Sequence, residues 1–236
     1  MSAVPLQRAS DPVLILTRRE VAALMPFADY VAAVEEAFAL YAEGKALSPG
    51  VLELAAQGGT FHAKAAGLPL GRVYVAVKVN GNFPDNPKRL GLPTIQGTLV
   101  LCDGATGSPL AFMDAIEVTL QRTAAATAVG AKHLARTDSA TATVVGCGAQ
   151  GRAQLVALKH ALPLTRAYAF DLDAAAARRF ASEMARALDL EVVAVDRLRD
   201  AARRSDAVVT CTTARRPVLG PDDVARRPDA ECVGRG

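Results

Sequence analysis

The residues best placed to do chemistry are glycines. Gly146, Gly148 and Gly151 stand in the run Gly146-Cys147-Gly148-Ala149-Gln150-Gly151, directly after the β-branched segment Thr141–Val145. A strand entering Gly-x-Gly-x-x-Gly and leaving as a helix is the phosphate-binding turn of a dinucleotide fold. The first glycine permits a tight turn, the second lets backbone approach a pyrophosphate, and the third lets helix and strand pack closely. The helix that follows offers unpaired amides at Ala149 and Gln150 and the positive end of its dipole to the phosphates. Asp171 ends the next strand-like run, Arg166–Phe170, 20 residues beyond Gly151. A carboxylate at that distance accepts from the adenosine ribose hydroxyls and repels a 2′-phosphate, which favours NAD over NADP. The alternative for Asp171 is that it merely caps the helix expected from Asp173, and a bare strand–helix turn is the plain alternative for the glycines.

The elements that must hold this turn alternate. Ala142–Val145, Arg166–Phe170, Glu191–Val195 and Asp206–Cys211 read as strands, and Gln150–Ala161, Asp173–Leu188 and Arg197–Arg204 read as helices. Strands alternating with helices of this length predict βαβ units and a parallel sheet. Before them, Ala115–Arg136 is Ala-rich and helical and reads as a connecting helix. The first part is mixed. Val13–Leu16 reads as a short buried strand, and Thr17-Arg18-Arg19-Glu20 matches a capping box. Asp29 can cap a second helix that stops near Gly44. Ser48–Gly71 reads as irregular and Gly-rich, Val73–Val79 as a strand, Asn80–Pro87 as loop, and Gly97–Cys102 and Pro109–Met113 as strands joined by turn residues Asp103–Gly107. The expected fold class is α/β: residues 1–114 form an α+β substrate-binding and dimerisation domain. Residues 115–236 form the connecting helix and a Rossmann NAD-binding domain, incomplete at its C-terminal end.

The 236 residues are 51% apolar and 22% charged, the balance of a soluble globular protein. A net charge of +3, with basic residues scattered, gives no basic stripe for nucleic acid. The four cysteines, Cys102, Cys147, Cys211 and Cys232, form no Cys-x-x-Cys pair, so no metal site is expected. Three of them lie in apolar runs, where Cys behaves as a small hydrophobe. With no signal-peptide pattern and no apolar stretch of membrane-spanning length, a cytoplasmic protein is expected, with no membrane partner.

Several stretches resemble the ornithine cyclodeaminase/mu-crystallin family, which also includes alanine dehydrogenases and ketimine reductases. They are Val77-Lys78-Val79-Asn80-Gly81-Asn82, Gly91-Leu92-Pro93-Thr94, Leu101–Ala111, Met113-Asp114-Ala115, Gln121–Ala128 and Leu134-Ala135-Arg136, running into the glycine turn. The resemblance implies hydride transfer between a nicotinamide ring and the α-carbon of an amino or imino acid. It implies that Lys78 is the catalytic-site lysine, polarising the substrate and holding a carboxylate, and that Arg122 grips the substrate carboxylate through its planar fork. Thr123, beside it, would face cofactor phosphate or substrate. Read alone, Lys78 can equally snorkel to solvent and Arg122 can equally be a surface residue. His62 and Lys64 stand where family members place substrate-pocket residues. They differ from the cyclodeaminase pattern of a glutamate and a methionine, so a smaller or acidic substrate is expected rather than one with a distal amine. The resemblance also implies a homodimer. Two further readings are a cyclodeaminase that releases ammonia without net redox, and a dinucleotide-binding protein without catalysis.

The chain departs from the family at its end. Ala230–Gly234 reads as the next strand, and Val233-Gly234-Arg235-Gly236 puts Gly236 where the family's Val-Gly-x-Asp has its proton-transferring aspartate. The expectation is a truncated or frame-shifted member that binds NAD and catalyses weakly or not at all.

Overall fold

A computed structural model of the chain describes residues 12–214 and 216–223. The expected strand at Ala230–Gly234 and the Val-Gly-x-Asp position lie outside the described residues. The chain divides between Arg122 and Thr123 into two compact units, each built on its own sheet.

The first unit begins with β1 (Leu14–Leu16), α1 (Arg18–Ala23) and α2 (Phe27–Ala42), then runs through β2 (Leu47–Ala56), β3 (Gly59–Leu70), β4 (Arg72–Asn82), α3 (Asn86–Leu90), β5 (Ile95–Asp103) and β6 (Pro109–Asp114). The strands form one sheet in the order β1-β6-β5-β4-β3-β2. All neighbours are antiparallel except β1 and β6. The capping box at Thr17 forms: the Glu20 amide donates to Thr17 Oγ1, and the Thr17 amide donates to the Glu20 carboxylate at 2.8 Å.

Four local expectations are corrected. First, Leu14–Leu16 is a strand, but an edge strand with both faces open: Ile15 is 80% exposed. Second, Asp29 does not cap α2. Pro26, at φ −73°, is the N-cap, so Asp29 falls in the first turn, where its charge favours the helix dipole instead. Third, residues 48–71 are not irregular but a long hairpin, β2 and β3. Their Gly and Ala content argues against strand by propensity, yet β3 is laddered along its length to β4, whose residues are β-branched; pairing overrides propensity. Fourth, Asn80–Pro87 is only partly loop. β4 continues to Asn82, and Pro87 sits in the first turn of α3, where its missing N–H is not needed.

α4 (Ala115–Leu134) runs through the division between the units. The second unit then alternates as expected: β7 (Thr141–Val145), α5 (Ala149–Ala161), β8 (Arg166–Phe170), α6 (Ala174–Leu188), β9 (Glu191–Ala194), α7 (Leu198–Ala202) and β10 (Ala207–Thr210). The sheet is wholly parallel in the order β10-β7-β8-β9. Consecutive strands step outward on one side of β7 and return to its other side at β10, which creates a topological switch point at the C-terminal ends of β7 and β10. Small residues Ala142, Ala167 and Ala169 alternate along the inner face. They let Leu155 and Leu158 of α5, and Phe180 and Met184 of α6, sit close over the sheet in one core. At the opposite end of the strands, the Asp206 carboxylate accepts from the amides of Ala140 and Thr141, from the Thr141 hydroxyl and from Arg136, tying β7 to β10.

Candidate active and cofactor sites

The glycine turn lies at that switch point. Gly146 has φ +98°, and a Cβ there would meet the Cys211 carbonyl oxygen at 2.7 Å. A Cβ on Gly151 would stand 2.1 Å from the Gly146 carbonyl oxygen. Both positions therefore exclude side chains for reasons internal to the fold. Gly148 differs: its φ is −82°, and a Cβ would meet nothing within 4 Å. It is also the N-cap of α5, with no side chain capping the helix, so the first amides of α5, including those of Ala149 and Gln150, open onto this side. Buried Gln150 Nε2 has no hydrogen-bond partner.

A cleft of about 340 Å³ opens here, lined among others by Gly146, Gly148, Asp171, Leu172, Cys211 and Thr212. An uncapped helix start, a glycine with open space before it and an orphaned amide donor fit the phosphates of a dinucleotide. Asp171 lines the cleft, and it is not the cap of α6; Asp173 is, accepting from the Ala175 amide. Asp171 does something the sequence did not reveal. One of its oxygens accepts from the Cys147 amide at 2.8 Å and the other from the Asp173 amide at 3.0 Å, so it pins the glycine turn. Each carboxylate oxygen retains a further lone pair for a ribose hydroxyl. Arg152 braces the turn from the other side, donating to the carbonyls of Cys147 at 2.7 Å and Gly148 at 3.2 Å while paired with Glu183. Only the fold brings Arg152 and Glu183 together, since they lie on different helices. Burial, and then the Asp171 charge, push the Cys147 thiol up to about 12, and burial pushes Cys211 up to about 11. Cys211 lines the cleft and Cys147 is buried in the turn, both as neutral, weakly polar groups rather than as nucleophiles.

The second constellation belongs to the first unit. Lys78 is on β4 with Val77 and Val79 turned to the opposite face, and its Nζ donates to Thr119 Oγ1 at 3.1 Å. Asn80, two residues on and so on the same face, donates to that hydroxyl from Nδ2 at 3.4 Å. Thr119 and Arg122 are three residues apart on α4, hence on one side of the helix. Desolvation, then the charge of Arg122, then that of Lys64 lower the Lys78 ammonium to about 8, so it is still largely protonated at neutral pH. Partial burial also pulls the Arg122 guanidinium down, although the residue keeps access to solvent. Lys64 lies on β3 directly opposite Lys78, and His62 directly opposite Asn80. His62 Nδ1 is 3.7 Å from the Glu53 carboxylate. The structure thus brings Lys64, Lys78 and Arg122 into one electrostatic group with His62 in the next register. Thr123, following Arg122, is half-buried on α4. Thr119 and Asn80 escaped the sequence reading; a threonine one helical turn before Arg122 was the available signal.

A model of the ornithine cyclodeaminase/mu-crystallin family matches residues 12–226, and the chain belongs to that family. It is 37% identical to an alanine dehydrogenase of Archaeoglobus fulgidus over 221 residues, covering 94% of this chain and 66% of that protein. Among solved structures it is similar to an archaeal alanine dehydrogenase dimer with bound NAD (TM-score 0.83, 37% identity, covering 90% of this chain and 64% of that one). It is also similar to the Δ1-pyrroline-2-carboxylate reductase of Thermococcus litoralis in complex with NADH and L-proline (TM-score 0.82, 34% identity, 88% and 64% covered). The chain therefore spans just under two thirds of the length of these relatives.

Proposed function

We propose that this chain is a NAD-dependent oxidoreductase acting at the α-carbon of an amino or imino acid. In this reading the first unit is the substrate and dimerisation domain and the second the dinucleotide-binding domain. The observation that carries it is the pairing of Lys78, anchored at Thr119, with Arg122 on the adjoining helix face. Neither side chain makes an ion pair with a carboxylate among the described residues. Two cations left without an acid are a receptor for one. The Arg122 fork can take the substrate carboxylate in bidentate geometry, and the Lys78 ammonium can polarise the imine or carbonyl at the neighbouring carbon. Gly146, Gly148, Ala149, Gln150, Gly151 and Asp171 would hold NAD, with Thr123 toward its phosphates or the substrate. When bound, NAD exchanges hydride with the α-carbon. The names of the relatives, an alanine dehydrogenase and a pyrroline-carboxylate reductase, support the reaction class.

The test combines calorimetric titration with NAD and turnover over a panel of L-amino acids, following NADH and ammonia together. Micromolar NAD binding with NADH formed in step with ammonia is the expected result. Ammonia without net NADH would move the assignment to a cyclodeaminase, and failure to bind NAD would overturn it.

A homodimer is part of the same proposal. The sheet face opposite Lys78 carries Ile15, Leu52, Leu54, Phe61, Val79 and Phe112, all substantially exposed. An apolar face of this kind marks an interaction surface, and one relative is described as a dimer. Sedimentation at twice the 24.6 kDa chain mass is expected; a single species at the chain mass would remove this part. A cytoplasmic setting completes the reading, consistent with free thiols at Cys102, Cys147 and Cys211. No helix among the described residues is long and apolar enough to cross a membrane.

A further inference from the structure

The sheet face that carries Lys78 holds more positive charge than one α-carboxylate can use. Lys64 faces Lys78 across β3 and β4, and His62 faces Asn80 in the adjacent register. Directly opposed side chains on antiparallel strands have Cβ atoms about 5 Å apart, and like charges so placed destabilise the sheet. Lys64 is close enough to act on the Lys78 ammonium. Among the described residues Lys64 makes no ion pair. In these two registers the acid is Glu53, opposite His62 on β2 and already beside its imidazole at 3.7 Å. Arg122 and Lys78 suffice for one carboxylate and an imine, and Lys64, exposed on the same face, is solvated and open to a further anion.

We infer that the substrate is a short dicarboxylic amino or imino acid whose second carboxylate is taken by Lys64, with His62 alongside it. This rests on the proposed reaction at the α-carbon and adds what the rest of the substrate must be. The diacid is short because the two lysines stand on adjacent strands in one register. A substrate with a distal ammonium would bring a fourth cation into a group of three, whereas an apolar side chain would leave Lys64 and Lys78 repelling each other. A side-chain carboxylate removes the repulsion and supplies Lys64 with a charge-assisted hydrogen bond. Lys64 is then the residue that sets specificity, while Lys78 and Arg122 serve every amino acid alike.

The test is titration calorimetry of the full chain with L-aspartate, L-alanine and L-ornithine, each with and without NAD. A hydrogen bond to a charged group contributes about 1.5–3 kcal/mol, so aspartate is expected to bind about ten- to a hundredfold more tightly than alanine. Ornithine should bind least. Lys64→Met should remove most of the advantage of aspartate over alanine, and Lys64→Arg should keep it, with melting curves confirming that both variants fold. Equal affinity for aspartate and alanine, a preference that survives Lys64→Met, or binding of none of the three acids would overturn the inference. These outcomes are separate from the failure of NAD to bind, which would strike the reaction class, because the ranking of acids is read without NAD as well.

Discussion

The two units build their sites from different material. In the second unit the turn side of the cleft is made by backbone, by Gly146, Gly148 and the uncapped start of α5 with Gly151 packed behind them, and Asp171 is the acidic side chain on the lining among the described residues. In the first unit the backbone is an ordinary antiparallel ladder, and the chemistry resides in side chains carried to one face by strand register and by α4. A backbone site constrains the sequence at fixed spacings, because only glycine fits where a Cβ would strike a carbonyl. A register site constrains nothing locally: Lys64 and Lys78 are fourteen positions apart, and only the pairing of β3 with β4 makes them neighbours.

That contrast can be broken at several points. The largest expected effect is on turnover: Lys78→Met should lower kcat by about 10²–10³-fold, the usual loss when one preorganised charged donor is removed, with NAD affinity little changed. Calorimetry beside initial rates checks this, and a variant retaining more than a tenth of the activity would refute the role of Lys78. Next, Gly151→Ala forces a methyl into the Gly146 carbonyl. It should cost about 1–3 kcal/mol of stability by overpacking, and more if the turn cannot shift; chemical denaturation measures it, and NAD binding should be lost with it. Gly148→Ala separates ligand from fold, because its added methyl meets only open space. It should leave the melting temperature within a few degrees while weakening NAD about tenfold or more, and unchanged NAD affinity would mean the phosphates lie elsewhere.

The smallest effect sharpens the contrast through pH. Lys78 titrates at about 8 in the folded chain against 10.5 for an ordinary lysine. Between those values the unfolded chain binds the extra proton, so stability attributable to Lys78 rises with pH across this window. Below about pH 8 the burdened ammonium weighs fully on the fold. The melting temperature of Lys78→Met relative to the unsubstituted chain should therefore be most favourable near pH 7 and fall as pH approaches 10.5. A difference independent of pH would show that Lys78 is not desolvated.

The same division explains what could be read in advance. Among the described residues, the four strands and the helices α5, α6 and α7 of the second unit were legible, because alternating apolar runs and glycine spacing are local signals; the short 3-10 turn at Pro221–Asp223 was not, and Asp171 lines the cleft beside the glycine turn. In the first unit the hairpin of β2 and β3 was invisible: Gly59, Ala63, Ala65, Ala66 and Gly67 give no strand preference, and their partner β4 supplies the order. Val13–Leu16 misled for the converse reason, since an apolar run says nothing about whether its strand is central or at an edge. Lys78 and Arg122 were found through the family resemblance, whereas Thr119, which anchors Lys78 Nζ, depended on how α4 lies over β4.

The bond from the Cys147 amide to Asp171 carries a consequence for redesign and for divergence. In such folds an acid on the ribose hydroxyls goes with NAD, and a 2′-phosphate is accommodated by an arginine instead, so a change of cofactor requires exchange of the acid. Under the proposed function that exchange, made at Asp171, would also release the Cys147 amide and loosen the turn assigned to the pyrophosphate. A lineage, or an engineer, moving toward NADP would need a second substitution to hold the Cys147 amide before the first could be advantageous.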